Sequence, residues 1–329
     1  MRAPLLSKIK LPFRRSPLRL RLALQGGGAH GAFTWGVLDR LLEEPGIEIT
    51  AVSGTSAGAV NAVALAWGWC QDGPAGARAL LARLWRSIGE KARHAPMGAG
   101  RLGAFTLDLA THLFSPYQLN PLGIDPLGDL LRELIDFPAL RQASPMALLI
   151  AATHVRTGRC RIFRERELTP QMLLASTCLP QIHHAVEVAG ELYWDGGFSA
   201  NPPVLALAEL EGADPLLLVR IAPAESRKPP RRARHIRQRT AELVFGRPLA
   251  DELAFLAQLQ AMAPATLSRV MPRLHRLVAL DLQVIDADEV VSTLDPATKL
   301  LPERRVLERL RVAGRAAAAQ WLADRSPIR

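Results

Sequence analysis

The sequence predicts an α/β protein whose mainly parallel sheet carries helices on its faces, and three stretches predict it. LRLALQ, a Gly-rich turn and AFTWGVLDRLLEE form a strand-turn-helix unit, and IEITAVSG followed by TSAGAVNAVALAWGWC forms a second. DPLLLVRIAP, much later, is a short, almost continuously apolar run that reads as a further buried strand. Strands alternating with helices favour parallel pairing through helical crossovers.

In chain order, residues 1–19 are a basic tail, MRAPLLSKIKLPFRRSPLR, that precedes the first strand. The helix after the first glycines places Val37, Leu38, Leu41 and Leu42 on one side, and the second helix is rich in small residues that allow close packing on a sheet. Residues 72–145 are rich in Leu, Pro and Gly, with the loop-like PMGAGRLGAF and SPYQLNPLGIDP around short helical patterns, and read as a cap or lid. MALLIAATHVRTGRCRIFR reads as two strands joined at Thr157 and Gly158, and LTPQMLLASTC as a helix capped by Thr169 with Pro170 in its first turn. AVEVAGELYWDGGFSANPP is a hairpin feeding a Gly-rich turn. Helical patterns dominate from TAELVFGRPLADELAFLAQLQAM onward, LVALDLQVI inserts a late strand, and ERRVLERLRVAGRAAAAQWLADR closes the chain as an amphipathic helix. The domains expected are the tail, a catalytic unit over 20–222 and a basic linker with a mainly helical extension over 223–329.

A chain of 329 residues, 49% apolar, can bury one large core with appendages. Cys70, Cys160 and Cys178 form no C-x-x-C pair, which argues against a disulfide framework or a zinc knuckle and for a reducing, cytoplasmic compartment. No run of about 18 apolar residues reads as a transmembrane span. The formal net charge of +10 is concentrated in the tail and around residues 227–239. Such runs are ordinarily solvated tail and linker, and the partner they would suit is an anionic membrane surface, giving peripheral association. With only two Tyr and no aromatic residues interleaved among the basic ones, nucleic acid is not expected as a partner.

Gly26, Gly28 and Gly31 spell G-x-G-x-x-G after the first strand. A dinucleotide site would need an acidic residue at the end of the second strand, roughly 20 residues on, to hold a ribose hydroxyl. ITAVSG has none there, and Glu48 sits too early. The chain instead presents Gly54-Thr55-Ser56-Ala57-Gly58, a G-x-S-x-G stretch between strand and helix. A serine on such a turn projects at a helix N-terminus, where the Ala57 amide and the amides of Gly26, Gly27 and Gly28 can hold a developing oxyanion. The glycines of the first loop thus keep an anion-cradling role and serve a tetrahedral intermediate. The serine needs a base. In the order Ser, Asp, His the candidate histidines are His235 and His275, which gives a Ser-His-Asp esterase. The more persuasive base is Asp195, in Tyr193-Trp194-Asp195-Gly196-Gly197, at a strand end where burial raises a carboxylate pKa and makes it a better base. A Ser–Asp dyad follows, with the Ser-His-Asp esterase as the alternative.

On these motifs the chain resembles the patatin-like phospholipase family over residues 20–205. Gly26 to Gly31 match the family's oxyanion motif, Gly54 to Gly58 its nucleophile motif and Asp195 to Gly197 its Asp-Gly-Gly motif. The resemblance implies a three-layer α/β/α sandwich, Ser56 as nucleophile, Asp195 as general base, and hydrolysis of lipid acyl esters without cofactor or metal. SPYQLNPLGIDPLGDLLRE and the late STLDPATKLL look similar to a bacterial subgroup with an extended C-terminal part. The chain departs from the family at His30, where many members carry Arg or Lys, and at His183-His184, a place often apolar; these two are expected on a strand, facing opposite ways. A patatin-like scaffold acting as a catalytically weak, membrane-associated binding or regulatory protein is the reading from a different class.

Overall fold

The computed structural model describes residues 17–93, 115–120, 125–223, 225, 229–261, 272–300 and 302–325. The N-terminal tail up to residue 16 lies outside them, as do 94–114 and 121–124 of the expected lid. Eight strands among the described residues form one mixed sheet: β1 (Leu18–Leu24), β2 (Ile47–Gly54), β3 (Ala147–His154), β4 (Cys160–Arg164), β5 (Val186–Val188), β6 (Glu191–Asp195), β7 (Leu216–Arg220) and β8 (Leu282–Asp286). The parallel run is β3-β2-β1-β7-β8, and β4, β5 and β6 add antiparallel pairs beyond β3. The late strand expected in LVALDLQVI is β8, which pairs with β7 and so brings residues beyond 223 into the central sheet.

Helices cover both faces. α1 (Ala32–Leu41) and α2 (Ala57–Arg93) follow β1 and β2; α4 (Pro126–Leu134), α5 (Phe137–Ala143) and α6 (Pro170–Ser176) come before and after the β3–β4 hairpin, after the one-turn α3 (Pro116–Leu119). Later come α7 (Val204–Ala208), α8 (Ala233–Ala261), α9 (Pro272–Val278), the short α10 (Asp288–Val291) and α11 (Arg304–Arg325). The alternation of LRLRLAL divides β1 between two cores: Leu20, Leu22 and Leu24 face α1, α2 and α11, whereas Ala23 faces α7, α8 and α9. Each fully buried leucine contributes roughly 1.5–3 kcal/mol. Arg21 also points to the second face, 2% exposed, and its guanidinium donates to the carbonyls of Leu207 and Ala208 at the end of α7 and of Glu211 just beyond it, which makes its burial tolerable.

Three sequence expectations change here. α1, read as amphipathic, is buried almost all round, because α11 covers the face turned away from the sheet. The described helices of the 72–145 cap belong to the core layer: Leu81, Leu84, Leu131, Phe137 and Leu140 are buried in it, and residues 74–93 continue α2 after a break at Asp72 and Gly73. His183 and His184 lie in a turn before β5, not on a strand, because the chain leaving α6 folds back before the β5–β6 hairpin. Thr169 does cap α6, its hydroxyl accepting from the Met172 amide, and the hairpins at Thr157-Gly158 and Ala189-Gly190 form as expected.

Candidate active site

Strand register brings Ser56 and Asp195 together. Leu149 and Ile150 of β3 pair with β2 on one side and β4 on the other, and Ala152 and Thr153 pair with β4 and β6. β2 and β6 therefore share one side of β3. β2 runs parallel to β3 and ends at Gly54, opposite Ile150; β6 runs antiparallel and ends at Asp195, opposite Ala152. The two C-terminal ends meet nearly head on, and the turns that leave them share one place.

Ser56 occupies the left-handed region, φ 54°, between β2 and α2. A non-glycine residue there is strained, and strain of this kind is held in place by its surroundings. The Ser56 amide donates to Ser176 Oγ at 3.1 Å, and the Thr55 hydroxyl donates to the Ala200 carbonyl at 2.7 Å. A Cβ at Gly58 would collide with the Leu24 carbonyl, and one at Gly26 would lie 2.8 Å from Ser56 Cβ, so glycine is what lets the two loops close on each other.

Asp195 is fully buried. One carboxylate oxygen accepts from the Gly197 amide at 2.7 Å, and the Asp195 main chain is held on both sides, its amide donating to the Cys178 carbonyl and its carbonyl accepting from the Thr153 hydroxyl. Oδ2 has no partner of ordinary hydrogen-bond geometry among the described residues. Burial pushes the carboxyl up to about 7; the Gly197 amide and the Ser56 hydroxyl pull the other way without cancelling it. Ser56 is the one side chain among those influences. His235, near the start of α8, and His275, exposed on α9, are not among them.

The glycine loop divides in its roles. The Gly26 amide donates to Asn201 Oδ1 at 2.8 Å, so this amide, expected to face the oxyanion, is already committed. The amides of Gly27, Gly28 and Ala57 have no protein acceptor among the described residues. Asn201 was not legible as a site residue. It is 2% exposed and ties Gly26 to α8 by donating from Nδ2 to the Phe245 carbonyl at 3.0 Å, while the Phe245 ring covers Gly197. Ser176, at the end of α6, was equally silent. A cleft of about 180 Å³ lies beside the 176–178 turn, lined in part by Asp125, Leu174, Cys178 and His183 and not by Ser56 or Asp195. Burial pushes the Cys178 thiol up to about 12, leaving it inert as a nucleophile. The two adjacent histidines do different things: His183 Nδ1 accepts from the Leu179 amide, while His184 stacks on Tyr117 at 4.2 Å and donates to the Pro116 carbonyl.

A mixed sheet flanked by helices, with a strained serine at a strand-to-helix turn and a buried aspartate across from it, defines an α/β protein of patatin fold. The family model for patatin-like phospholipase matches residues 22–208, more than half of the chain, and the protein belongs to that family. Lipid hydrolysis is the class of activity that this membership supports. No curated protein matches the chain in sequence. Among solved structures, the crystal structure of VipD from Legionella pneumophila is similar at 16% identity and a TM-score of 0.48, over 94% of this chain and 67% of that one. The type III effector protein ExoU is similar at 18% identity and a TM-score of 0.35, over 94% of this chain and 54% of that one. ExoU in complex with SpcU, from the type III secretion system of Pseudomonas aeruginosa, gives 16% and 0.32, over 93% and 53%. The chain thus spans about half the length of the ExoU chains.

Proposed function

We propose that the protein is a lipid acyl hydrolase working through a Ser56–Asp195 dyad and an acyl-enzyme. The observation that carries this reading is the meeting of a left-handed Ser56 with a fully buried carboxylate whose pKa is raised to about 7. Asp195 takes the proton from Ser56 Oγ as that oxygen bonds to the ester carbonyl carbon. The carbonyl electron pair moves to oxygen, where the free amides of Gly27, Gly28 and Ala57 receive it, with the N-terminus of α2 adding a favourable field. Collapse of this intermediate breaks the bond to the alcohol, which leaves with the proton from Asp195, and Ser56 keeps the acyl group. Water, deprotonated by Asp195, then attacks the acyl-enzyme, and fatty acid leaves as Ser56 Oγ regains its proton. Gly26, Gly54, Gly58 and Gly196 serve by letting backbones approach closely, and Gly31 and Gly197 by leaving room for the Ala57 and Trp85 side chains and for the Phe245 ring. A fluorophosphonate probe is expected to label Ser56 in the folded protein, identified by peptide mass, because labelling requires an activated serine. Absence of labelling in protein that melts cooperatively would leave the catalytically weak binding protein as the better reading.

We also infer that the protein meets anionic lipid through α8 and the basic run leading into it. Ile236, Leu243 and Val244 are large apolar side chains left exposed on this helix, and Arg231, Arg232 and Arg237 are exposed near its start. Among the described residues no helix is long and apolar enough to cross a membrane. Flotation with vesicles is expected to show binding to phosphatidylglycerol-containing liposomes that weakens several-fold between about 0.05 and 0.5 M salt, as screening shortens the reach of the arginines. Equal binding to neutral vesicles, or none to anionic ones, would sink this inference.

A further inference from the structure

The residues that complete the glycine loop are not all within the 22–208 match. His30, two residues beyond Gly28, is 1% exposed, and its Nε2 lies 2.7 Å from Thr298 Oγ1. The Thr298 hydroxyl donates to the Asp295 carbonyl at 2.6 Å, so toward His30 it accepts, and Nε2 carries the ring proton. Nδ1 is then a bare acceptor, buried with no partner among the described residues. Burial, aided by the nearby Lys299 charge, pushes His30 down to about 3, which keeps this single-donor tautomer through the working pH range.

What the ring does reaches the loop through its own backbone. The His30 amide donates to the Gly27 carbonyl at 3.2 Å. The Gly27 C=O and the Gly28 N–H belong to one planar trans peptide and point in opposite directions, so fixing the carbonyl aims the amide. Gly28 itself has φ 58°, and a Cβ there would strike the Lys299 carbonyl, so residues 296–299 form a wall directly behind the loop. α11, which follows these residues in the chain, packs on α1, the helix that follows the glycine loop. A Cβ at Gly36 would collide with the Arg311 carbonyl and one at Gly314 with the Phe33 carbonyl, which marks a reciprocal close crossing of α1 and α11. Asp39 of α1 bonds Arg311 at 2.8 Å and Arg315 at 2.6 Å across the same contact.

We propose that Thr298 is a positioning residue of the oxyanion loop: through His30 it aims the Gly28 amide, so the hydrolytic site is completed by the C-terminal segment. This rests on the oxyanion role proposed above for Gly27 and Gly28. The contact acts on transition-state geometry and not on substrate affinity, and small displacements of such donors are known to cost up to about 100-fold in rate.

The test compares Thr298→Val, Thr298→Ser and Ser56→Ala in the full chain, with kcat and KM for p-nitrophenyl butyrate and the thermal midpoint of each. Thr298→Val is expected to lower kcat by roughly 10- to 100-fold, with KM within about twofold and the midpoint within a few degrees, as a KM-neutral rate loss requires. Thr298→Ser, which keeps the hydroxyl, is expected to recover most of the rate. Thr298→Ala gives the same loss as valine should the valine methyl disturb the turn. An unchanged kcat in the valine and alanine variants, or a loss that serine does not rescue, overturns the positioning role. An active Ser56→Ala protein instead overturns the reading of the site itself, so the two failures are distinguishable.

Discussion

Ser56→Ala is expected to lower hydrolysis of p-nitrophenyl esters by roughly 10⁴- to 10⁶-fold, the scale of removing a nucleophile that works as a unit with its base. The fold should survive, because none of the bonds that hold the turn uses the Ser56 side chain as donor or acceptor of ordinary geometry. The Ser56 amide still reaches Ser176 Oγ, Thr55 still reaches the Ala200 carbonyl, and Gly26 still reaches Asn201. Alanine also inherits the left-handed strain at φ 54°. Ser56→Gly relieves that strain and is expected to be more stable than the alanine variant by about 1 kcal/mol, with equally little activity. Rates and circular-dichroism melts of the three proteins check both parts. More than about 1% residual activity in a folded alanine variant would remove Ser56 from the mechanism, since water and oxyanion contacts alone leave far less.

The glycine turns were legible because each follows a short apolar or β-branched run that reads as a strand, and the serine was legible because a missing acid after ITAVSG removed the dinucleotide reading. The hairpins and the Thr169 cap were legible for the same local reason: turn and cap chemistry depends on neighbours in sequence. The contact that matters most was not. That β6 ends head on against β2 follows from which residues of β3 each strand pairs with, and no local pattern encodes this. Asn201, Ser176 and Thr298 were silent because a lone polar side chain carries no period and no motif; its role exists only once the fold supplies a buried partner. The same reason accounts for Gly26. Its place in the motif suggested a free donor, but the sequence holds no sign that a side chain 175 positions later would take that amide. Likewise the all-round burial of α1 depends on a helix from the far end of the chain.

Asp195→Asn is expected to lower kcat/KM by roughly 10²- to 10⁴-fold, the range for loss of a general base, while His235→Ala and His275→Ala leave it unchanged. The wild-type profile should also identify the base. The carboxylate form is the active one, so kcat/KM should rise with pH through about 7 and level off above it. An exposed aspartate, near 3.9, would give a flat profile over the same range. Stability should move in the opposite direction. The folded pKa lies above the unfolded one, so between about pH 4 and 7 the folded state holds the extra proton; this stabilisation is complete below pH 4 and is lost as pH rises through 7, an effect on the order of a few kcal/mol. Asparagine cannot ionise, and its carbonyl oxygen can still accept from the Gly197 amide, so the variant keeps the turn and sheds the penalty. At pH 8 one substitution should therefore reduce activity and raise the thermal midpoint together, whereas at pH 4 the two proteins should melt alike. An aspartate that served only to cap its own turn would show the same pH-dependent gain in stability, since burial alone sets it, but not the loss of rate. Parallel melts and rates at pH 4, 6 and 8 separate the two, and a histidine variant that loses activity with its fold intact would transfer the role of base to that histidine.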